Sequence, residues 1–105
     1  MTEPRIALVT GAGSGIGQAC ATALLHDGWH VVFSGRRMDA LQAAIEAAGT
    51  HAGQAVALAV DVSQEAQVAA LFDRVQQRFG RLDLLFNNAG IFPPASAPEI
   101  GRAHV

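Results

Sequence analysis

The run Thr10-Gly11-Ala12-Gly13-Ser14-Gly15-Ile16-Gly17 follows the apolar stretch Ile6-Ala7-Leu8-Val9 and carries residue types suited to holding phosphate. Glycines let a backbone turn sharply and let an anion approach with no Cβ in the way. A helix that opens at the turn adds unpaired N–H groups and the positive end of its dipole. Three further runs stand where strands should end: Ser34-Gly35-Arg36-Arg37, Asp61-Val62 and Asn87-Asn88-Ala89-Gly90. Guanidinium groups bind phosphate by charge-assisted hydrogen bonds. A carboxylate accepts a hydrogen bond from an exocyclic amine, and paired amides serve backbone carbonyls and ribose hydroxyls. All four runs suit parts of one nucleotide.

The elements that must position these groups follow from hydrophobic period. Residues 5–10 form an apolar strand covered on both faces, and 30–34 a second strand rich in β-branched and aromatic residues. Strands are also expected at 54–60 and 82–86. Between them lie three helices. The first, from 15 to about 27, is expected to bury Ile16, Cys20, Ala23 and Leu24, with Gly28 as its stop. The second, 38–48, places Leu41, Ala44, Ile45 and Ala48 on one stripe. The third, 64–79, turns Val68, Leu71, Phe72 and Val75 inward, with Ser63 as its expected N-cap. This β-α-β-α-β-α-β alternation predicts an α/β fold, a doubly wound, Rossmann-like parallel sheet in the order 3-2-1-4. All four chemistry-bearing runs then fall at the C-terminal ends of strands.

Composition narrows the function classes. With 105 residues the chain makes one domain at most. Half of it is apolar and the net charge is −2, so neither disorder nor a nucleic-acid surface is indicated. A single cysteine, Cys20, cannot build a disulfide framework and suits a reducing compartment. No stretch approaches the roughly 20 apolar residues of a membrane helix. A soluble cytoplasmic protein is the expectation, with neither membrane nor nucleic acid as partner. His26, His30, His51 and His104 lack metal-ligand spacing, so no metal site is expected, and Trp29 should pack at the sheet margin.

The glycine spacing departs from G-x-G-x-x-G, because Ile16 stands where the third glycine would be. Thr10-Gly11-x-x-x-Gly15-x-Gly17, together with Asn87-Asn88-Ala89-Gly90, resembles the short-chain dehydrogenase/reductase family over about residues 5–95. The resemblance implies an oxidoreductase that moves hydride between a nicotinamide and a carbonyl or secondary alcohol, acting on a small-molecule substrate as a homo-oligomer. It implies cofactor contacts from Gly11, Gly13, Ser14, Gly15, Ile16 and Gly17, with the adenine beside Asp61 and Val62. Asn87 is expected to tie strands together, with Asn88, Ala89 and Gly90 nearer the cofactor.

An NAD-specific site places an acid roughly 20 residues past the glycines. Here that position is Gly35, followed by Arg36 and Arg37. Glycine makes room for a 2′-phosphate and arginine holds it, so NADP is expected over NAD. Arg36 is the principal group, for the 2′-phosphate or for stacking on the adenine, and Arg37 its support. Asp39, in the first turn of the second helix, is accounted for by the helix dipole.

The family's acid–base chemistry rests on an Asn, a Ser and a Tyr-x-x-x-Lys pair further along. This chain has no tyrosine, and its seven basic residues are all arginine. No catalytic residue is assigned, since Ser96 falls too early and in a proline-rich setting. Residues 1–95 are expected to be a cofactor-binding half-domain of a longer parent, the chain by itself being inactive. The closing Ile100-Gly101-Arg102-Ala103-His104-Val105 matches one frame of a common sequencing adapter, so 96–105 is expected to be a non-native tail. A frameshifted gene is the other reading. Left at a sheet edge, the fourth strand is expected to make the isolated chain poorly soluble. The rival function is a non-catalytic redox sensor, which an in-frame Tyr-x-x-x-Lys downstream would exclude. A Rossmann-like methyltransferase is disfavoured by the asparagine pair and the arginines.

Overall fold

The computed structural model describes residues 5–88. Its elements are β1 (Ile6–Thr10), α1 (Gly15–His26), β2 (His30–Gly35), α2 (Met38–Ala47), a 3-10 segment (Gly49–Gln54), β3 (Ala55–Ala59), α3 (Glu65–Phe79) and β4 (Leu84–Asn87). The four strands form one parallel sheet in the order β3-β2-β1-β4. This is the doubly wound α/β architecture expected from the alternation of patterns. Register places Thr10 beside both Ser34 and Asn87, so three strand ends come together at one rim.

Helices cover both faces, which explains why β1 is apolar at nearly every position. Ala7, Val9, Val31 and Phe33 pack with Ala21, Leu25, Leu41 and Ala44 from α1 and α2. On the opposite face Ile6, Leu8, Val32 and Leu85 meet Val68, Leu71, Phe72 and Val75 from α3. The inner stripes of α2 and α3 are those the sequence period predicts.

α1 differs. Its buried residues are Gly17, Ala21 and Leu25, whereas Ile16 is 73% exposed, Ala23 is exposed and Cys20 is half-buried; of the expected stripe, Leu24 does pack, partly buried, against the core. The helix lies one residue away from the expected face because the turn before it leaves no room for a large side chain. Small residues therefore make the closest approach, and periodicity follows large ones. Partial burial raises the Cys20 thiol above its ordinary pKa.

Two smaller departures have local causes. β3 is shorter than expected, because residues 49–54 wind into the 3-10 segment. β4 starts at Leu84, because Asp83 meets β1 partly through its side chain. The Ile6 N–H donates to Asp83 Oδ2 at 2.9 Å, and the Asp83 N–H donates to the Ile6 carbonyl at 2.9 Å. Arg81 grips the same carboxylate at 2.6 and 2.9 Å. Trp29 lies half-buried at the sheet margin under the Arg5 guanidinium, 4.4 Å from its centroid. Among the described residues no helix is long and apolar enough to cross a membrane.

Candidate nucleotide site

The turn between β1 and α1 is built around two close approaches. Gly11 has φ +63°, and a Cβ there would stand 2.9 Å from Asn88 Nδ2. A Cβ on Gly17 would run into the Gly11 carbonyl oxygen and the same amide. Only glycine fits at both. The Ala12 N–H donates to the Ser34 carbonyl at 3.0 Å, tying the turn to the end of β2. Gly13 approaches α2, where an added Cβ would stand 3.0 Å from that of Ala40.

The start of α1 suits an anion. Ser14 is its N-cap residue in extended backbone, yet its side chain makes no capping hydrogen bond, and no acid lies in the first turn. The first N–H groups of the helix thus keep their capacity for an external acceptor. Ser14, Gly15 and Ile16 are all exposed around them.

A cleft of about 220 Å³ leads from this turn to the end of β2. Gly11, Gly13 and Ser14 form one side, and Gly35, Arg36 and Arg37 the other. Val60 and Val62 add an apolar wall after β3, while Ala40 and Leu41 close it from α2. The two arginines are not equivalent. Arg37 donates to Asp39 Oδ2 at 2.9 Å, and this bond, with the Ala40 N–H next, holds the Asp39 carboxyl below its ordinary range. Among the described residues Arg36 has no ion-pair partner of that kind. Asp39 thus answers an arginine as well as a helix dipole.

Asp61 faces its own loop. Its Oδ1 accepts the Ser63 hydroxyl at 2.6 Å and the Ser63 N–H at 3.0 Å, while its own N–H donates to Gln67 Oε1 at 2.7 Å. The two bonds from Ser63, the hydroxyl's first, lower the Asp61 pKa, and the charge of Arg36 lowers it further. The N-cap of α3 is Gln64 rather than Ser63, whose hydroxyl is spent on Asp61.

Asn87 ends β4, and its Oδ1 accepts the Thr10 hydroxyl at 3.2 Å across the β1–β4 pair. Asn88 is exposed with its amide against Gly11 and Gly17. Ala89, Gly90, Ser96 and the tail at 96–105 lie outside the described residues. Of the residues singled out from sequence, the cleft brings together Gly11, Gly13, Ser14, Arg36, Arg37 and Val62. Gly15, Ile16, Gly17, Asp61, Asn87 and Asn88 stand outside its lining. Ala40, Leu41 and Val60 were not anticipated. Val60 directly precedes Asp61-Val62 and could have been found from that; the α2 pair gave no chemical signal.

Comparison with known proteins agrees with this geometry. An uncharacterised oxidoreductase of Methylorubrum extorquens is 44% identical over 97% of this chain, which spans 42% of that relative. A structure titled as YwfH, an NADPH-dependent reductase involved in bacilysin biosynthesis, superposes with TM-score 0.77 at 31% identity. It covers 87% of this chain and 38% of its own. The 3-ketoacyl-(acyl-carrier-protein) reductase of Brucella melitensis, solved with NADH, superposes with TM-score 0.70 at 35% identity, over 79% of this chain and 33% of its own. The chain thus spans well under half the length of these proteins. The short chain dehydrogenase model matches residues 5–104, so a chain with this sheet order and this glycine turn belongs to the short-chain dehydrogenase family.

Proposed function

We propose that this chain is the cofactor-binding part of an NADP(H)-preferring oxidoreductase acting on a carbonyl or secondary alcohol. The observation that carries the reading is the single cleft joining Gly11, Gly13 and Ser14 to Arg36. A nicotinamide dinucleotide, when bound, supplies or accepts the hydride. The chain's own residues hold it. The α1 N-terminus takes the pyrophosphate, Arg36 takes a 2′-phosphate with Arg37 beside it, and Val60 and Val62 border the adenine. Asp61 serves the adenine edge, and Gly15, Ile16, Gly17, Asn88, Ala89 and Gly90 border the rest of the cofactor. Asn87 holds β4 in place.

The fit rests on residues already described. The turn has space only while positions 11 and 17 lack a Cβ, and the α1 N-terminus has neither a capping side chain nor an acid. Gly35 presents no carboxylate to repel a phosphate. Relatives in the family include one titled NADPH-dependent and one solved with NADH, which supports a nicotinamide cofactor of either kind. The preference for NADP is drawn from Gly35 and Arg36. With no tyrosine and no lysine in the chain, the acid–base step falls in this reading to other residues of the whole protein.

Titration of the protein with NADPH and NADH separately, followed by fluorescence or calorimetry, tests the reading. Tighter NADPH binding is expected. Equal or tighter binding of NADH removes the role given to Arg36, and binding of neither removes the cofactor site.

A further inference from the structure

β3 ends the sheet: among the described residues it pairs with β2 and with no strand on its other side. Its sequence, Ala55-Val56-Ala57-Leu58-Ala59, contains no charge and no proline. Edge strands are usually blunted by such residues, because their unpaired N–H and C=O groups template pairing with another chain. This edge lacks both devices.

A groove runs beside it. Two adjoining clefts of about 270 and about 400 Å³ share Ala57, Leu58 and Arg74. Met38 and Leu71 lengthen the apolar floor at one end, and Arg78 stands at the other. No acidic side chain lines either cleft. Arg74 and Arg78 are exposed one turn apart on α3, a spacing at which like charges oppose helix formation. Among the described residues neither is in an ion pair. The helix dipole favours Arg78 in the last turn, but its effect fades by Arg74. The Arg78 guanidinium lies over the Phe79 ring, 5.7 Å from its centroid, but among the described residues neither cation meets an acid, so a chain of net charge −2 sets two arginines without a carboxylate partner along an unprotected strand.

We infer that this edge and groove take an extended acidic segment of a partner protein as an added strand. The segment's backbone pairs with β3, its apolar side chains cover Met38 and Leu58, and its carboxylates meet Arg74 and Arg78. A second copy of this chain is a poorer occupant. A two-fold pairing of β3 with itself continues the sheet but sets the arginines of one copy against those of the other.

The test uses two labelled peptides of about six residues, the length of an ordinary strand, one alternating Glu with Val and one Lys with Val. Binding is read by fluorescence anisotropy and by hydrogen exchange at residues 55–59. The Glu–Val peptide is expected to bind, to slow exchange at β3, and to weaken as salt is raised. The paired substitution Arg74→Gln and Arg78→Gln, with folding checked by circular dichroism, is expected to weaken it about tenfold or more. Equal binding of the two peptides, indifference to salt and to the paired substitution, or unchanged exchange at β3 overturns the proposal. So does a concentration-dependent dimer that protects 55–59 without peptide, since that assigns the edge to a second copy.

Discussion

The Asn88 amide stands over Gly17: a Cβ built on that glycine would lie 2.9 Å from Asn88 Nδ2, and it would also meet the Gly11 carbonyl oxygen. One small volume is thus shared by the turn after β1, the first turn of α1 and the residue after β4. The register that sets Thr10 beside Asn87 delivers Asn88 to this place. The turn is shaped by a distant strand, Thr10 and Asn87 being 77 residues apart in the chain, and no local pattern specifies that contact.

Gly17→Ala therefore tests sterics against propensity. Alanine is favoured over glycine inside a helix by about 1 kcal/mol. The new methyl meets backbone, which cannot rotate away, and overpacking of that kind costs about 1–3 kcal/mol. The expected outcome is a lower melting temperature and loss of measurable NADPH binding. An unchanged melting temperature would mean the turn relaxes freely.

Arg36 and Arg37 should separate on substitution. Loss of one charge-assisted hydrogen bond is worth about 1.5–3 kcal/mol, or roughly 10–100-fold in affinity. Arg36→Ala is expected to weaken NADPH by that amount and leave NADH nearly unchanged. Arg37→Ala should do less, because Arg37 already answers Asp39 at 2.9 Å. Gly35→Asp should favour NADH, provided Leu41 yields: an added Cβ stands 3.2 Å from Leu41 Cδ2. Calorimetric titration of each variant with both nucleotides checks the ordering.

Much of this was legible because large apolar residues report their own faces. Val68, Leu71, Phe72 and Val75 are buried as their spacing requires, and alternation of strand and helix patterns fixes a parallel sheet. α1 was misread for the same reason. Its inner face is Gly17, Ala21 and Leu25; the first two sit there for their smallness, and hydrophobicity gives such positions little weight against Ile16. Ser63 was misread because a serine before a helix has two uses. Here it stabilises Asp61 rather than capping α3, and nothing in the residue types distinguishes the two. Gly11, Arg36 and Val62 could be singled out one by one. That they line one cleft, with Ala40 and Leu41 closing it, is a property of the fold.

The Asp61 carboxyl gives a pH prediction. Its pKa is lowered in the folded chain, first by the Ser63 hydroxyl and then by the Ser63 N–H. A depressed carboxyl contributes stability above its unfolded pKa, and that contribution is lost as pH falls through the folded-state value. Ser63→Ala removes the strongest of these bonds, so the Asp61 pKa should rise toward the ordinary carboxylate range. The acid limb of the stability profile should move to higher pH with it. Carboxyl-carbon NMR titration of both proteins reads the shift directly, and coincident curves would show that the backbone bond suffices.

Thr10→Val asks whether the β1–β4 tie supports the site as well as the fold. Thr10 is fully buried, and its hydroxyl donates to Asn87 Oδ1 at 3.2 Å. Valine keeps the shape and removes the donor of a part-buried hydrogen bond, which is worth about 0.5–1.5 kcal/mol net. A fall in melting temperature follows from that loss alone. The same substitution removes this tie between Asn87 and β1, and Asn88, the next residue, bears on Gly11 and Gly17. NADPH affinity should therefore fall as well, although Thr10 does not line the cleft. Measuring affinity well below the melting temperature of the variant separates the two effects. Unchanged binding there would confine Thr10 to holding the sheet together.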